Sequence, residues 1–346
     1  MKITGEDWPL LAVGMLLVLT GCMPPSLRPG TVPNPTTAPT ANHTVHNIIG
    51  IAPIWIAEKV DVRLNNRDAA LDSFAGKTCF LGDLGKNRDT SLKNNLVCLE
   101  TKSGKLLWDN KSGLHDSIAV TSNGIFITYI TPLSVRKYDF QNGDLVWGKY
   151  LGGNGSDYLY FQDDQIEILD WTDKTWVLDP AGKIIRVVDG KSIFFSQQDE
   201  ILIDYYGLQS IRPRSSEALW KHEDAHVNSA PLFTEDKIFV HGAFSRIAYA
   251  LDRNKGTLLW EIPKILGNFA YSPGKHVVYA LRESGELLSI DENSGKETTI
   301  ARFSPAPFLY SDGVNDSGYQ LSYDQQERIL VVYTGDSRQL FALGEK

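Results

Sequence analysis

One pattern recurs along the chain with nearly constant spacing. "VCLETKSGKLLW" ends at Trp108, "VRKYDFQNGDLVW" at Trp147 and "YALDRNKGTLLW" at Trp260. In each, an apolar pair leads to an acid, a Gly follows four residues later, and a Trp four residues after that. Weaker copies fill the gaps. "WVLDPAGKIIR" puts Arg186 in the Trp position, "QSIRPRSSEALW" keeps Trp220 but lacks the acid and the Gly, and "LLSIDENSGKETT" keeps Asp291 and Gly295 but ends in Thr299. A self-similarity of this period is the mark of an array in which each unit buries its apolar face against the next.

The chemistry of the unit is strand, turn, strand. Asp139, Asp179, Asp252 and Asp291 can accept hydrogen bonds from turn backbone, and the Gly supplies the left-handed residue that the turn needs. A calcium-loop reading fails, since no bidentate Glu stands twelve residues from the first ligand position. Further short β-rich runs, such as "GIFITY", "KIFVHG" and "HVVYAL", lie between the copies. Four strands in roughly 40 residues is a propeller blade. The sequence therefore predicts an all-β, single β-propeller over residues 47–346. Trp55, Trp108, Trp147, Arg186, Trp220, Trp260 and Thr299 would mark seven four-stranded blades, with eight as the alternative count. "LFALGEK" matches "AYALDRN" up to the turn, and "IAPIWIAEKV" offers an outer strand with no earlier strands of its own. Pairing of these N- and C-terminal strands would close the ring and remove two open sheet edges.

A different motif competes for attention. His222-Glu223-Asp224-Ala225-His226 fits H-E-x-x-H, in which two His one helical turn apart share a zinc ion. That chemistry needs a helix, yet Ser229 and Pro231 close the run and the repeat puts it on an outer strand. No catalytic residue, metal ligand or cofactor is expected there.

The N-terminus reads as an export signal. "WPLLAVGMLLVLTG" is an uncharged apolar run that ends at Cys22 in "LTGC", which resembles the bacterial lipobox. Residues 1–21 would be a lipoprotein signal peptide and Cys22 the lipidated residue. The Pro- and Thr-rich residues 22–46 would be a tether reaching about 25–30 Å as a flexible coil. A formal net charge of −8 argues against nucleic acid as a partner. With Cys22 lipidated, Cys79 and Cys98 remain as a pair, either bridged across neighbouring strands or left as two buried thiols.

The "ALDxxxGxxxW" units resemble the pyrroloquinoline-quinone-like (PQQ-like) repeat propellers, and "YALDRNKGTLLW" is close to their consensus. The resemblance covers residues 47–346 and speaks to fold far more than to function. Two branches differ in what they imply. Quinoprotein dehydrogenases imply a quinone- or small-ligand-dependent envelope enzyme, but many of them carry adjacent cysteines and are much longer. The BamB-type outer-membrane assembly lipoproteins imply a lipid anchor, a tether and a bare propeller, which is the layout here. The expectation is a non-enzymatic, protein-binding scaffold without cofactor. It would be anchored to a cell or outer membrane outside the cytoplasm, with envelope or membrane proteins as partners. Tyr158, Tyr160, Trp171, Tyr205 and Tyr206 are the candidate contact aromatics, with inter-blade packing as their other use.

Overall fold

Apolar runs of six residues bounded by turn signals become the middle strands of sheets, and alternating or edge-polar runs become outer strands. The computed structural model describes residues 47–62, 70–84, 95–111, 113, 115–153, 155–189, 192–195, 200–204, 207–211, 218–223, 227, 231–242, 246–304, 319–335 and 337–345. Residues 1–46, where the signal peptide, the lipidated Cys22 and the tether are expected, lie outside the described residues, as do Tyr205, Tyr206 and His226.

Every regular element among the described residues is a β-strand. The chain opens with β1 (Asn47–Ile49), β2 (Trp55–Glu58) and β3 (Val60–Val62). Then come β4 (Leu71–Phe74), β5 (Lys77–Leu84), β6 (Asn95–Glu100) and β7 (Leu106–Lys111). The next group is β8 (His115–Thr121), β9 (Gly124–Tyr129), β10 (Ser134–Tyr138) and β11 (Leu145–Tyr150). It is followed by β12 (Ser156–Gln162), β13 (Gln165–Asp170), β14 (Lys174–Leu178) and β15 (Ile184–Asp189). After these lie β16 (Ser192–Phe195), β17 (Glu200–Asp204), β18 (Gly207–Ile211) and β19 (Ala218–Glu223). Next are β20 (Leu232–Phe233), β21 (Lys237–Gly242), β22 (Ile247–Asp252) and β23 (Leu258–Pro263). The last groups are β24 (Ile265–Ser272), β25 (Val277–Arg282), β26 (Glu286–Asp291) and β27 (Glu297–Ser304), then β28 (Tyr319–Asp324), β29 (Ile329–Thr334) and β30 (Gln339–Gly344).

The sheets are antiparallel meanders. β9, β21 and β29 are buried along their whole length, as the middle strands "GIFITY", "KIFVHG" and "ILVVYT" should be. Innermost strands of neighbouring sheets stand side by side: β28 beside β4, β4 beside β8, β8 beside β12, and β24 beside β28. The core fills the spaces between sheets. Phe239, Ala248, Ala250 and Trp260 of one sheet, for example, pack on Ile265, Val278, Ala280 and Leu288 of the next.

The expectation of seven four-stranded blades, or eight, is corrected. Among the described residues, five sheets have four strands and two have five. In one of the larger sheets β5 is long enough to pair with β4 through Lys77–Phe80 and with β3 through Gly82–Leu84. In the other, β1 adds a strand outside β27, with Ile48 opposite Phe303. Three-residue strands such as "VDV" and "NII" lie outside the repeat, so its period carried no trace of them. One four-stranded sheet joins the two ends of the chain, in the order β2-β30-β29-β28, with Trp55 opposite Ala342.

The repeat's Trp and Gly meet across sheets. Each outer-strand indole lies on the glycine of the next sheet's turn: Trp55 on Gly104, Trp108 on Gly143, Trp147 on Gly182, Trp220 on Gly256 and Trp260 on Gly295. Four of these indoles also donate to the carbonyl just after the turn's acid. Trp55 bonds Thr101 O, Trp147 Pro180 O, Trp220 Arg253 O and Trp260 Glu292 O, at 2.7–3.1 Å. For Trp108 the matching carbonyl, Phe140 O, accepts Lys77 Nζ instead, and the indole N–H is buried without a partner among the described residues.

Gly256 should therefore be intolerant of a side chain. It has φ +65°, and a Cβ there would stand 2.3 Å from the Trp220 ring. Gly256→Ala is expected to cost about 2–4 kcal/mol through combined backbone strain and overpacking. Gly274→Ala, where a Cβ meets nothing within 4 Å, should cost far less. Urea unfolding midpoints of the two variants check this; equal shifts would contradict it.

Candidate functional site

The sequence-read contact aromatics separate into two kinds. Tyr158 and Tyr160 are two residues apart on β12 and so share a face. Tyr158 is buried in a cluster with Leu169, Ile201, Leu208 and Val240. Tyr160 meets Phe233 edge-on at 5.8 Å, and its hydroxyl donates to Pro231 O at 3.3 Å. Both tyrosines are therefore engaged in packing between sheets.

Trp171 is different. It lies in the turn between β13 and β14 and is 51% exposed. Its indole N–H donates to Ser156 O at 3.0 Å, and the ring lies on Gly155, where a Cβ would come within 2.5 Å. The turn beneath is fixed by Asp170, whose Oδ1 accepts the backbone N–H of Thr172 and Lys174 and whose Oδ2 accepts the Trp176 indole. The result is a large aromatic surface open to solvent and held in one orientation. Such a group binds at low entropic cost, which is why Trp is enriched at the centres of protein interfaces.

The carboxylates of the repeat are committed to turns. Asp139 accepts from the backbone of Gln141 and Asn142, Asp179 from Ala181 and Lys183, Asp252 from Asn254 and Lys255, and Asp291 from Asn293 and Ser294. The backbone N–H of Asn142 holds the Asp139 carboxyl below the usual range, and the Ser294 hydroxyl does the same for Asp291.

His222 and Glu223 fall on β19, with Leu208 opposite His222 and Gly207 opposite Glu223. Neighbouring strand residues point to opposite faces, so the zinc-peptidase arrangement, which needs one helix face, is not formed over 218–223. Glu223 pairs instead with Lys221 at 2.9 Å, and His222 lies edge-on to Tyr249.

Cys79 on β5 and Cys98 on β6 stand directly opposite each other, with Cα atoms 4.1 Å apart, and the structure joins them by a disulfide. Both are fully buried in the core that also holds Phe80, Val97 and Leu99.

Two carboxylates at the inner strands, one half-buried and one buried, had no signal in the repeat. Asp72 on β4 accepts Val120 N at 2.7 Å and Ser73 N at 2.8 Å, and burial pushes its pKa up to about 6. Asp324, at the end of β28, accepts Gly76 N and the Thr101 hydroxyl of the neighbouring sheet. Asp72 ties β4 to β8 and Asp324 ties β28 to two turns of the next sheet, and only three-dimensional proximity reveals it.

Comparison with known proteins agrees with this geometry. A sequence profile of the PQQ_2 family, described as "Outer membrane protein assembly factor BamB", matches residues 171–342. The chain thus resembles the PQQ-like repeat propellers, BamB among them. An outer membrane protein assembly factor BamB of Francisella salina is 26% identical over 200 residues, covering 56% of this chain. The match spans about a third of that relative's length, 33%. Among solved structures, BamB from Moraxella catarrhalis superposes with a TM-score of 0.51 at 11% identity, covering 84% of this chain and all of that one. The WD40 β-propeller domain of Doa1 gives 0.61 at 10% identity, covering 86% of this chain and 97% of that one. These structural likenesses speak to the fold alone.

The cysteine pair yields a direct expectation. Thiol counting on protein denatured without reductant, under alkylating conditions, should find neither Cys79 nor Cys98 free. Two free thiols would contradict the bridge.

Proposed function

We propose that this chain is a lipid-anchored, non-enzymatic scaffold that holds partner proteins during outer-membrane protein assembly. The observation that carries the reading is the match of residues 171–342 to the family described as an outer membrane protein assembly factor. Two further features support it. The repeat's carboxylates are occupied in turn hydrogen bonds, which leaves them poorly suited to acid–base work. Trp171 offers a rigid, exposed aromatic on a propeller end, where loops on a fixed frame commonly bind.

In this reading residues 1–21 direct export and Cys22 carries lipid. Residues 22–46 let the propeller search the space near the outer membrane from the periplasmic side. Its partners are envelope proteins of the assembly process. Trp171 is the contact residue whose loss separates binding from folding.

The test is affinity purification of the tagged lipoprotein from crosslinked membranes. Envelope assembly proteins should co-purify with the wild type and be reduced roughly tenfold or more with Trp171→Ala, the loss expected of an interface hot spot. The melting temperature should stay close to wild type. Cys22→Ala should abolish palmitate labelling. A retained quinone with dye reduction by alcohols or sugars would overturn the reading in favour of an enzyme, and equal capture by both proteins would remove Trp171 from the interface.

A further inference from the structure

The five indole–glycine contacts leave two positions of the repeat without a Trp, and one of them falls where the chain ends meet. Thr299 occupies the Trp position on β27, and it is exposed. The sheet it faces has β30 and β2 as its third and outer strands, and these come from opposite ends of the sequence. No turn joins them, so there is no turn glycine for an indole to cover. The seam between the β24–β27 sheet and the β28–β30 sheet therefore lacks the contact used elsewhere.

At that seam a carboxylate is buried instead. Glu345 follows β30 directly, and its side chain is only 4% exposed. Oε1 accepts the Ser272 hydroxyl at 2.8 Å and the Tyr279 hydroxyl at 2.7 Å, both from the neighbouring sheet. Oε2 accepts the Tyr323 hydroxyl of β28 at 3.0 Å. Lys275 stands 3.8 Å from Oε1, and Arg328 3.7 Å from Oε2. The Glu345 backbone N–H donates to Arg328 O at 3.0 Å. Three hydroxyl donors and two cations thus converge on one ionised group from β24, β25, β28 and two turns. An ionised acceptor makes each of these bonds stronger than a neutral one would.

We propose that Glu345 is the clasp of the propeller's last seam, and that its negative charge keeps the sheet holding both chain ends locked to the sheet before it. The glutamate repeats a theme seen one sheet earlier. Glu292, also one residue past a third strand, accepts the Tyr271 hydroxyl and lies 4.0 Å from Lys237 of the preceding sheet. There, however, Trp260 also donates to the Glu292 carbonyl, so the indole contact and the carboxylate share the work. At the closing seam the carboxylate acts without an indole.

The pH dependence follows from the charge. Burial alone would raise the Glu345 pKa, but the Tyr279, Ser272 and Tyr323 hydroxyls and Lys275 outweigh it and hold it below the usual glutamate value. A depressed folded-state pKa means that the stabilisation is fully present above the unfolded value and is lost as pH falls through the folded one. Tyr279 and Tyr323 are themselves pushed up by burial and by this carboxylate, so they stay protonated donors throughout that range.

Hydrogen exchange of the full chain tests the proposal. In Glu345→Gln at neutral pH, amides of β2, β28 and β30 should lose protection by roughly tenfold or more, the scale of a lost charged hydrogen-bond network. Amides of β9 and β13, far around the ring, should match wild type. Acidification below the ordinary glutamate range should bring wild type toward the variant's seam protection, while the variant's excess opening should not grow. Tyr323→Phe, which removes one donor, should give a smaller loss confined to the same strands and remains informative if Glu345→Gln does not fold. Wild-type protection at the seam in either variant, or a loss spread evenly over all strands, would overturn the clasp.

Discussion

An indole lying on a glycine is the contact on which the architecture rests. A propeller sheet presents its outer strand to solvent and its faces to two neighbours, so each seam needs a group that reaches from one sheet to the next. Trp supplies a broad apolar surface and one donor. The facing turn must then bring backbone close to the ring, which requires a residue without a side chain in a left-handed conformation. Gly104, Gly143, Gly182, Gly256 and Gly295 all have positive φ, and all lie beneath an indole. The acid that opens each turn fixes its backbone, and the carbonyl after that acid receives the indole N–H at four of the five contacts. Acid, glycine and tryptophan are thus three parts of one contact, divided between two sheets.

That division explains the imperfect copies. Arg186 replaces Trp where the next copy, "RPRSSEALW", has no glycine in its turn. Thr299 replaces Trp where no turn joins the third and outer strands of the next sheet, β30 and β2. The residue that varies and the reason for the variation are therefore in different repeats. Read one copy at a time, the sequence suggests decay of the motif. Read in pairs, it shows that the indole is kept where there is a glycine to receive it.

The repeat made the all-β propeller and its meeting of chain ends legible, because turn chemistry and strand length are local properties. It made Cys79 and Cys98 legible as cross-strand neighbours, since register follows from the hairpin. Seven four-stranded blades, or eight, were overdrawn, because β1, β3 and β4 are short and fall between copies. Tyr158 and Tyr160 could not be told from contact residues in sequence, as an aromatic on an inner strand looks the same whether it faces solvent or a neighbouring sheet. Asp72, Asp324 and Glu345 gave no signal, because each acts on a sheet far away in sequence. Trp171 kept its standing as a surface aromatic because Gly155 and Ser156, at the start of the neighbouring strand, leave its ring room to lie outward.

A double-mutant cycle on Trp220 and Gly256 tests the central contact most directly. If the cost of Gly256→Ala arises from a methyl group driven into the Trp220 ring, then shortening Trp220 to Ala should relieve much of it. The double variant should be less destabilised than the sum of the two single variants by about 1–2 kcal/mol, well above the scatter expected of independent sites. Strict additivity would mean that indole and glycine act separately, and the account of the repeat as a divided contact would fail.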